Sequence, residues 1–128
     1  MIRPGCPCGR PQSFARCCGR YIGNFDETHA PDAESLMRSR YSAFVLLDRD
    51  YLLATWHPEK RPADLQPDAA TKWLGLEVRS RKQVDATHAE VEFVARSRTG
   101  GGKAQRLHER SRFVKDNGRW FYLDGDML

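Results

Sequence analysis

Apolar residues follow a helical rhythm early in the chain and a strand rhythm later. From Asp32 onward, Leu36, Met37, Tyr41, Phe44, Val45 and Leu47 recur at the spacing of one helix face. Arg38, Ser39, Ser42 and Asp48 mark a wetter face, and Arg40 borders the apolar stripe. Asp32 suits the N-cap and Glu34 the positive end of the helix dipole. Asp48-Arg49-Asp50 breaks the pattern. A second short helix is predicted through Tyr51, Leu52, Leu53 and Trp56. Pro58 ends it, because a residue before proline disfavours the helical region. Residues 59–67 are polar and proline-containing, which predicts a loop, and Asp68 to Leu74 reads as a third short helix.

Beyond Leu74 the period becomes two. Leu76, Val78 and Ser80 alternate with Glu77, Arg79 and Arg81; Ala89, Val91, Phe93 and Ala95 alternate with His88, Glu90, Glu92 and Val94. Thr99 to Lys103, with three consecutive glycines, predicts a hairpin loop. Leu107, Glu109, Ser111 and Phe113 share one face of the next strand. Asp116-Asn117-Gly118 signals a tight turn. In the last strand Trp120 and Tyr122 share one face, Phe121 and Leu123 the other. Helices followed by a meander of about four strands predict an α+β fold, with the helices packed on one face of a curved antiparallel sheet.

The first 22 residues stand apart, because they hold all four cysteines, Cys6, Cys8, Cys17 and Cys18. Residues 23–31 read as a linker or irregular loop, which divides the chain into a motif at 1–22 and a domain at 32–128. Metal removal is accordingly expected to disorder the first part and leave the second folded. No apolar run approaches the ~20 residues that span a bilayer. Met1 to Gly5 lacks the apolar stretch that export requires, so the expected location is the cytoplasm. In a reducing compartment clustered cysteines serve as metal ligands more often than as disulfides.

Zinc wants four soft ligands in a tetrahedron. A Cys-x-Cys pair can send two sulfurs to one side of a tight turn, with Pro7 fixing φ and Gly9 tolerating positive φ. The chain then returns, so that Cys17 and Cys18 complete the shell. Unliganded thiols or a redox pair are the alternative. The Cys-Cys pair does not match the usual ferredoxin spacings. Adjacent cysteines rarely share an unstrained disulfide. Four thiolates leave no open position for catalysis. Arg3, Arg10, Arg16 and Arg20 are placed to offset the charge of such a centre. The formal charge of the chain is +4, and about +2 once four thiolates bind one Zn²⁺. That mild excess does not describe a nucleic-acid surface. Arg79, Arg81, Arg96, Arg98 and Arg106 lack the interleaved aromatics that stack bases, so they read as a solvated face.

Cys6-Pro7-Cys8-Gly9 followed by Cys17-Cys18-Gly19 resembles the SEC-C zinc motif, known from the tail of the SecA translocase. Met37 to Phe44, Thr55-Trp56-His57-Pro58 and His108 to Phe113 are similar to the YchJ-like family, which joins that motif to an NTF2-like domain. The resemblance covers nearly the whole chain. It implies a cone, with helices against a strongly bent sheet and a cavity between them. Where the family's zinc loop has Gly-Ser-Gly-Lys, this chain reads Gly9-Arg10-Pro11-Gln12. The departure bears on partner contacts made through that Lys and not on the ligands.

Glu109 should point inward with Leu107 and Phe113, and a buried carboxylate is costly unless paired. Arg40 is its natural partner. Trp56, His57, Trp120 and Tyr122 are expected around the same space. Two functions fit. One is an adaptor whose zinc motif docks a protein partner and whose cone holds a small ligand. The other is an enzyme that uses Glu109 or His57 as general base. The plain structural reading is an Arg40–Glu109 ion pair, a His57 that caps the second helix, and aromatic core.

Overall fold

The computed structural model describes residues 5–128. Two short 3-10 turns, Phe14–Arg16 and Cys18–Arg20, precede helix α1 (Ala33–Val45), helix α2 (Arg49–Ala54) and strands β1 (Thr71–Asp85), β2 (His88–Thr99), β3 (Gln105–Asp116) and β4 (Arg119–Met127). The strands form one antiparallel sheet in the order β1-β2-β3-β4.

Asp32 caps α1 by accepting from the Ser35 amide at 2.7 Å. At the other end Leu47 takes φ 59°, so the Asp48 amide reaches back to the Ala43 carbonyl at 2.8 Å and the Leu47 amide to that of Phe44. This Schellman geometry satisfies the last carbonyls and turns the chain directly into α2. Asp48 then serves a second time, as the α2 N-cap. Leu36, Met37 and Tyr41 of α1 and Leu52 of α2 share one core with Val91, Phe93, Ala95 and Phe113 of the sheet. Full burial of Leu52 or Phe113 contributes ~1.5–3 kcal/mol each.

Bulges bend the sheet. Register shifts at Leu74, Arg79 and Val84 interrupt β1, and another at Leu123 interrupts β4. Each extra residue kinks its strand and raises the local twist. The tight turn between β3 and β4 has φ 53° at Asn117 and 74° at Gly118, the type I′ signature that Asn-Gly favours.

Several expected placements change. Ser39 and Ser42, expected on the wetter face of α1, and Val94, expected to alternate outward on β2, are fully buried; Ser39 bonds Tyr51 OH and Ser42 meets Cys6. Asp68 to Leu74 is not a helix. Asp68 accepts from the Ala70 amide in a turn, and Thr71, Lys72 and Trp73 already pair with Thr99, Arg98 and Ser97. Helix α2 stops at Ala54, before Trp56, because β4 captures the backbone there. Trp56 forms a bridge with Tyr122, the Tyr122 amide donates to Thr55 O and the His57 amide to Tyr122 O, both at 2.8 Å. Arg81 does not share a face with Glu77. The bulge at Arg79 shifts the phase, so Arg81 pairs with Val91 and its guanidinium meets Glu34 of α1. Arg96, Arg98 and Arg106 are exposed, as on a solvated face.

The stretch 23–31 has no regular element, yet it is tied down. Phe25 packs edge-on against Tyr51 and Phe121 and lies under the Arg119 guanidinium at 4.3 Å.

Candidate functional site

The cysteines come together through two tight returns. The Gly9 amide donates to Cys6 O at 3.0 Å with Gly9 at φ 97°, which favours glycine. The two 3-10 turns then fold Cys17 and Cys18 back. Gly19 is required inside the second turn, since a Cβ there would stand 2.7 Å from the Phe14 carbonyl oxygen. All four cysteines are buried, at 4% exposure or less, and their sulfurs lie within 4.8 Å of one another. The Cys8 and Cys17 sulfurs are 3.6 Å apart. Tetrahedral zinc with 2.3 Å bonds requires sulfurs about 3.8 Å apart, so the donor set fits that ion. As bare thiols, Cys8, Cys17 and Cys18 are pushed in opposite directions. Hydrogen bonding from Cys18 draws Cys8 down to about 5, burial first and then Cys8 push Cys17 up to about 11, and the bond to Cys8 first pushes Cys18 upward as well. A divalent cation would relieve that conflict.

The cluster is built into the fold. Cys6 Sγ lies 3.5 Å from Ser42 Oγ of α1, and Phe14, Ile22 and Leu76 pack against the cysteine cluster. Arg38 donates to Cys8 O at 2.8 Å and, through Nε, to Glu34 at 2.9 Å. Glu34, buried in the first turn of α1, also meets Arg10 at 3.5 Å and Arg81. One carboxylate thus joins the cysteine motif, α1 and β1. Of the arginines expected near the cluster, Arg3 lies outside the described residues. Arg10 serves Glu34, and Arg20 donates to Cys17 O at 3.0 Å.

Burial acts to raise the Glu34 carboxyl, but its bonds to Arg38 and Arg81 outweigh this and hold it below the ordinary value. A carboxylate with a depressed folded pKa contributes stability that is present above its unfolded pKa, about 4.3. That contribution is lost as the pH falls through the folded value. Urea denaturation between pH 7 and pH 3 is therefore expected to show stability falling once the pH drops below about 4–5. Glu34→Gln should flatten that part of the curve; an unchanged slope would refute the assignment.

Between α1 and the concave face of the sheet lies a cavity of about 360 Å³. Phe44, Leu65, Trp73, Phe93 and Phe113 contribute apolar wall, and Met127, 66% exposed, stands at its open side. Its polar groups include Arg40, Glu109, Ser111 and Tyr122. Arg40 and Glu109 are each 7% exposed. Arg40 Nη1 donates to Leu52 O and Thr55 Oγ1, both at 2.7 Å, and its guanidinium lies over the rings of Tyr122 at 4.6 Å and Trp56 at 5.2 Å. Glu109 Oε2 accepts from Ser111 Oγ and, at 3.1 Å, from Tyr122 OH. Burial draws Arg40 down to about 10, against the pull of Tyr122, Tyr51 and Glu109, so it stays a cation at neutral pH. Burial and then Glu109 raise Tyr122, so its hydroxyl remains a donor.

Arg40 and Glu109 share the cavity, but they do not form the expected ion pair. No salt bridge joins them among the described residues. Tyr122 links them, with its ring under the guanidinium and its hydroxyl on the carboxylate. Trp56 lines the cavity and fixes its indole by donating to Leu123 O at 3.1 Å. His57 does not line it. Next to Trp56 on an extended backbone, it turns the opposite way, toward Asp116 at 3.0 Å and the edge of Phe121. It caps no carbonyl of α2; its Nδ1 accepts from the Glu59 amide. Trp120 lies in the core below Lys115, outside the cavity lining. It shares a face with Tyr122 but sits two residues nearer the tight turn.

Gly125, opposite Ser111 on β4, is a residue the sequence reading passed over. A Cβ there would collide with the Glu109 carboxylate. A glycine inside a strand pattern is the signal that could have found it, because it marks close approach of another group. Gly125→Ala is expected to displace that carboxylate and cost ~1–3 kcal/mol, read by urea denaturation; a neutral result would show that Glu109 moves aside freely.

Fold and cysteine geometry together define an NTF2-like domain preceded by a SEC-C-type motif. Residues 32–125 match the family profile described as YchJ, middle NTF2-like domain. The UPF0225 protein of Polaromonas sp. is 63% identical over 128 residues, covering 95% of this chain and 92% of its own length. A UPF0225 protein of Bordetella pertussis is 60% identical, covering 96% and 92%. The solution structure of a SEC-C motif containing protein from Rhodopseudomonas palustris superposes with TM-score 0.85 at 36% identity, over 98% of this chain and 99% of that one. The chain belongs to the YchJ-like family. No helix among the described residues is long and apolar enough to cross a membrane.

Proposed function

We propose that this protein is a non-catalytic binding module, in which a zinc-held motif at residues 1–22 docks a protein partner and the domain at 32–128 binds a small molecule. The observation that carries this reading is the cavity, where Arg40 and Glu109 stand at the wall of a mostly apolar space. Its volume and its mix of many apolar walls with few polar groups are those of small-molecule sites. The four sulfurs support zinc as a closed structural ion, which supplies shape and rigidity and no open position for chemistry. Arg10, Pro11, Gln12 and Arg16, partly or fully exposed on the motif, are the surface offered to a partner. Buried free thiols suit the reducing cytoplasm. The enzyme alternative keeps Glu109 as its base. His57, turned away from the cavity, gives it no support.

The test has two readouts on the full chain. Metal analysis and X-ray absorption of protein from metal-replete culture should find one zinc on four sulfurs; absence of zinc, or nitrogen ligands, refutes the metal assignment. Toluene, titrated into ¹⁵N-labelled protein, should shift the Trp56 and Trp73 indole N–H signals. Unmoved indoles would refute the cavity as a binding site.

A further inference from the structure

Two side chains of the cavity wall keep unused hydrogen-bonding capacity. Glu109 Oε2 accepts from Ser111 and Tyr122, while Oε1 takes no hydrogen bond among the described residues. Arg40 spends Nη1 on Leu52 O and Thr55 Oγ1, while Nε and Nη2 make no hydrogen bond among the described residues. No side-chain nitrogen or oxygen that is sealed from solvent lacks a partner among the described residues. The unbonded atoms of these two side chains, each more than nine-tenths buried and lining the cavity, therefore open onto it. What they offer is one acceptor oxygen and a set of N–H donors, on opposite charges that offset each other.

We propose that the cavity takes a small, flat, uncharged aromatic molecule with a carbonyl and an N–H on neighbouring atoms, an amide or lactam edge, the carbonyl received by Arg40 and the N–H by Glu109. The proposal rests on the ligand-binding reading above and adds the chemical class. A ligand carboxylate would meet Arg40 favourably but face Glu109, and a ligand ammonium would meet Glu109 but face Arg40. Like charges brought together in a desolvated site are unfavourable. A zwitterion could satisfy both groups, but it would have to leave two full hydration shells behind to enter an apolar cavity. A neutral amide edge satisfies both at a smaller desolvation cost. The wall residues Phe44, Trp56, Trp73 and Phe93 offer ring edges and faces to an aromatic body, and about 360 Å³ holds one or two fused rings.

A matched panel on the full-length, ¹⁵N-labelled protein at pH 7 tests this: toluene, benzamide, benzoate, benzylamine and L-phenylalanine, each followed through the Trp56 and Trp73 indole signals. Benzamide is expected to bind about ten-fold or more tightly than toluene, the gain of hydrogen bonds to charged groups. Benzoate, benzylamine and phenylalanine should each bind at least about ten-fold more weakly than benzamide. In Glu109→Gln the gap between benzoate and benzamide should close, because the opposing anion is gone; a gap left unchanged would overturn the role of Glu109. Toluene equal to benzamide would overturn the proposal and leave the cavity as an apolar site. Benzoate or phenylalanine binding most tightly would overturn it in favour of a charged ligand. If neither toluene nor benzamide moves the indoles, the proposal falls together with the binding reading. The panel on the unmodified protein decides the question even if the Glu109 variant does not fold.

Discussion

If the four-sulfur cluster holds the proposed zinc, stripping it is expected to lower the melting temperature of the whole chain, sheet included, by about 10 °C or more. The linker-like composition of residues 23–31 suggests the opposite, a motif that melts by itself. The contacts argue otherwise. Cys6 sits against Ser42 in the last turn of α1, Arg38 bonds the Cys8 carbonyl, and Leu76 of β1 packs on the cysteine cluster. Without a cation the sulfurs must repartition their protons in a buried site, and that disturbance reaches α1 directly. A structural zinc site contributes its binding energy to folding, and for a chain of this size a few kcal/mol is a large shift in melting temperature. Melting followed by circular dichroism in the sheet region, with and without chelator, gives the number. Amide signals of Val91, Phe93 and Phe113 give the location. Sheet signals that stay in place, with an unchanged melting temperature, would show two independent units joined by a true linker. Cys8→Ser should reproduce the chelator effect, since Cys8 is fully buried and shares in the cluster.

Features that depend on local chemistry could be read from the chain. Asp32, Leu36, Met37 and Tyr41 announce α1, and Asn117-Gly118 announces its turn, because caps and type I′ turns are decided by a few adjacent residues. The inward phase of Glu109 could be read too, since β3 runs without a bulge from Gln105 to Arg112. What could not be read depends on register. A single extra residue at Arg79 reverses the phase of β1, and this sends Arg81 to Glu34. Trp56 looks helical in isolation; pairing with Tyr122 of β4, far along the chain, draws it out of α2 and turns His57 away from the cavity. Gly125 looks like a weak point in a strand until the Glu109 carboxylate is placed over it. The same limit explains Arg40 and Glu109. Composition says that a buried carboxylate needs a partner; only the fold shows that two hydroxyls take that role and that the arginine stands one ring away.

Arg40→Met is expected to destabilise the protein by about 3–5 kcal/mol, from the loss of two buried hydrogen bonds to a charged donor at about 1.5–3 kcal/mol each. Methionine roughly keeps the volume, so the loss is chiefly electrostatic and hydrogen-bonding. Leu52 O and Thr55 Oγ1 lose a charged donor, the rings of Trp56 and Tyr122 lose their cation, and Glu109 loses the cation across the Tyr122 ring. Glu109→Gln should cost less, about 2 kcal/mol, because the amide oxygen can still accept from Ser111 and Tyr122. The double variant is the informative one. If the two charges offset each other across the Tyr122 ring, its loss will be smaller than the sum of the single losses by at least about 0.5 kcal/mol, since removing the second charge relieves the first. Urea titrations of the four proteins close the cycle. Strict additivity would mean that the charges do not sense each other, and the electrostatic argument for an uncharged ligand would then lose its basis. A Glu109→Gln protein as stable as the parent would say that the carboxylate does nothing for the fold, and would bring forward the reading in which Glu109 is held in the cavity as a base.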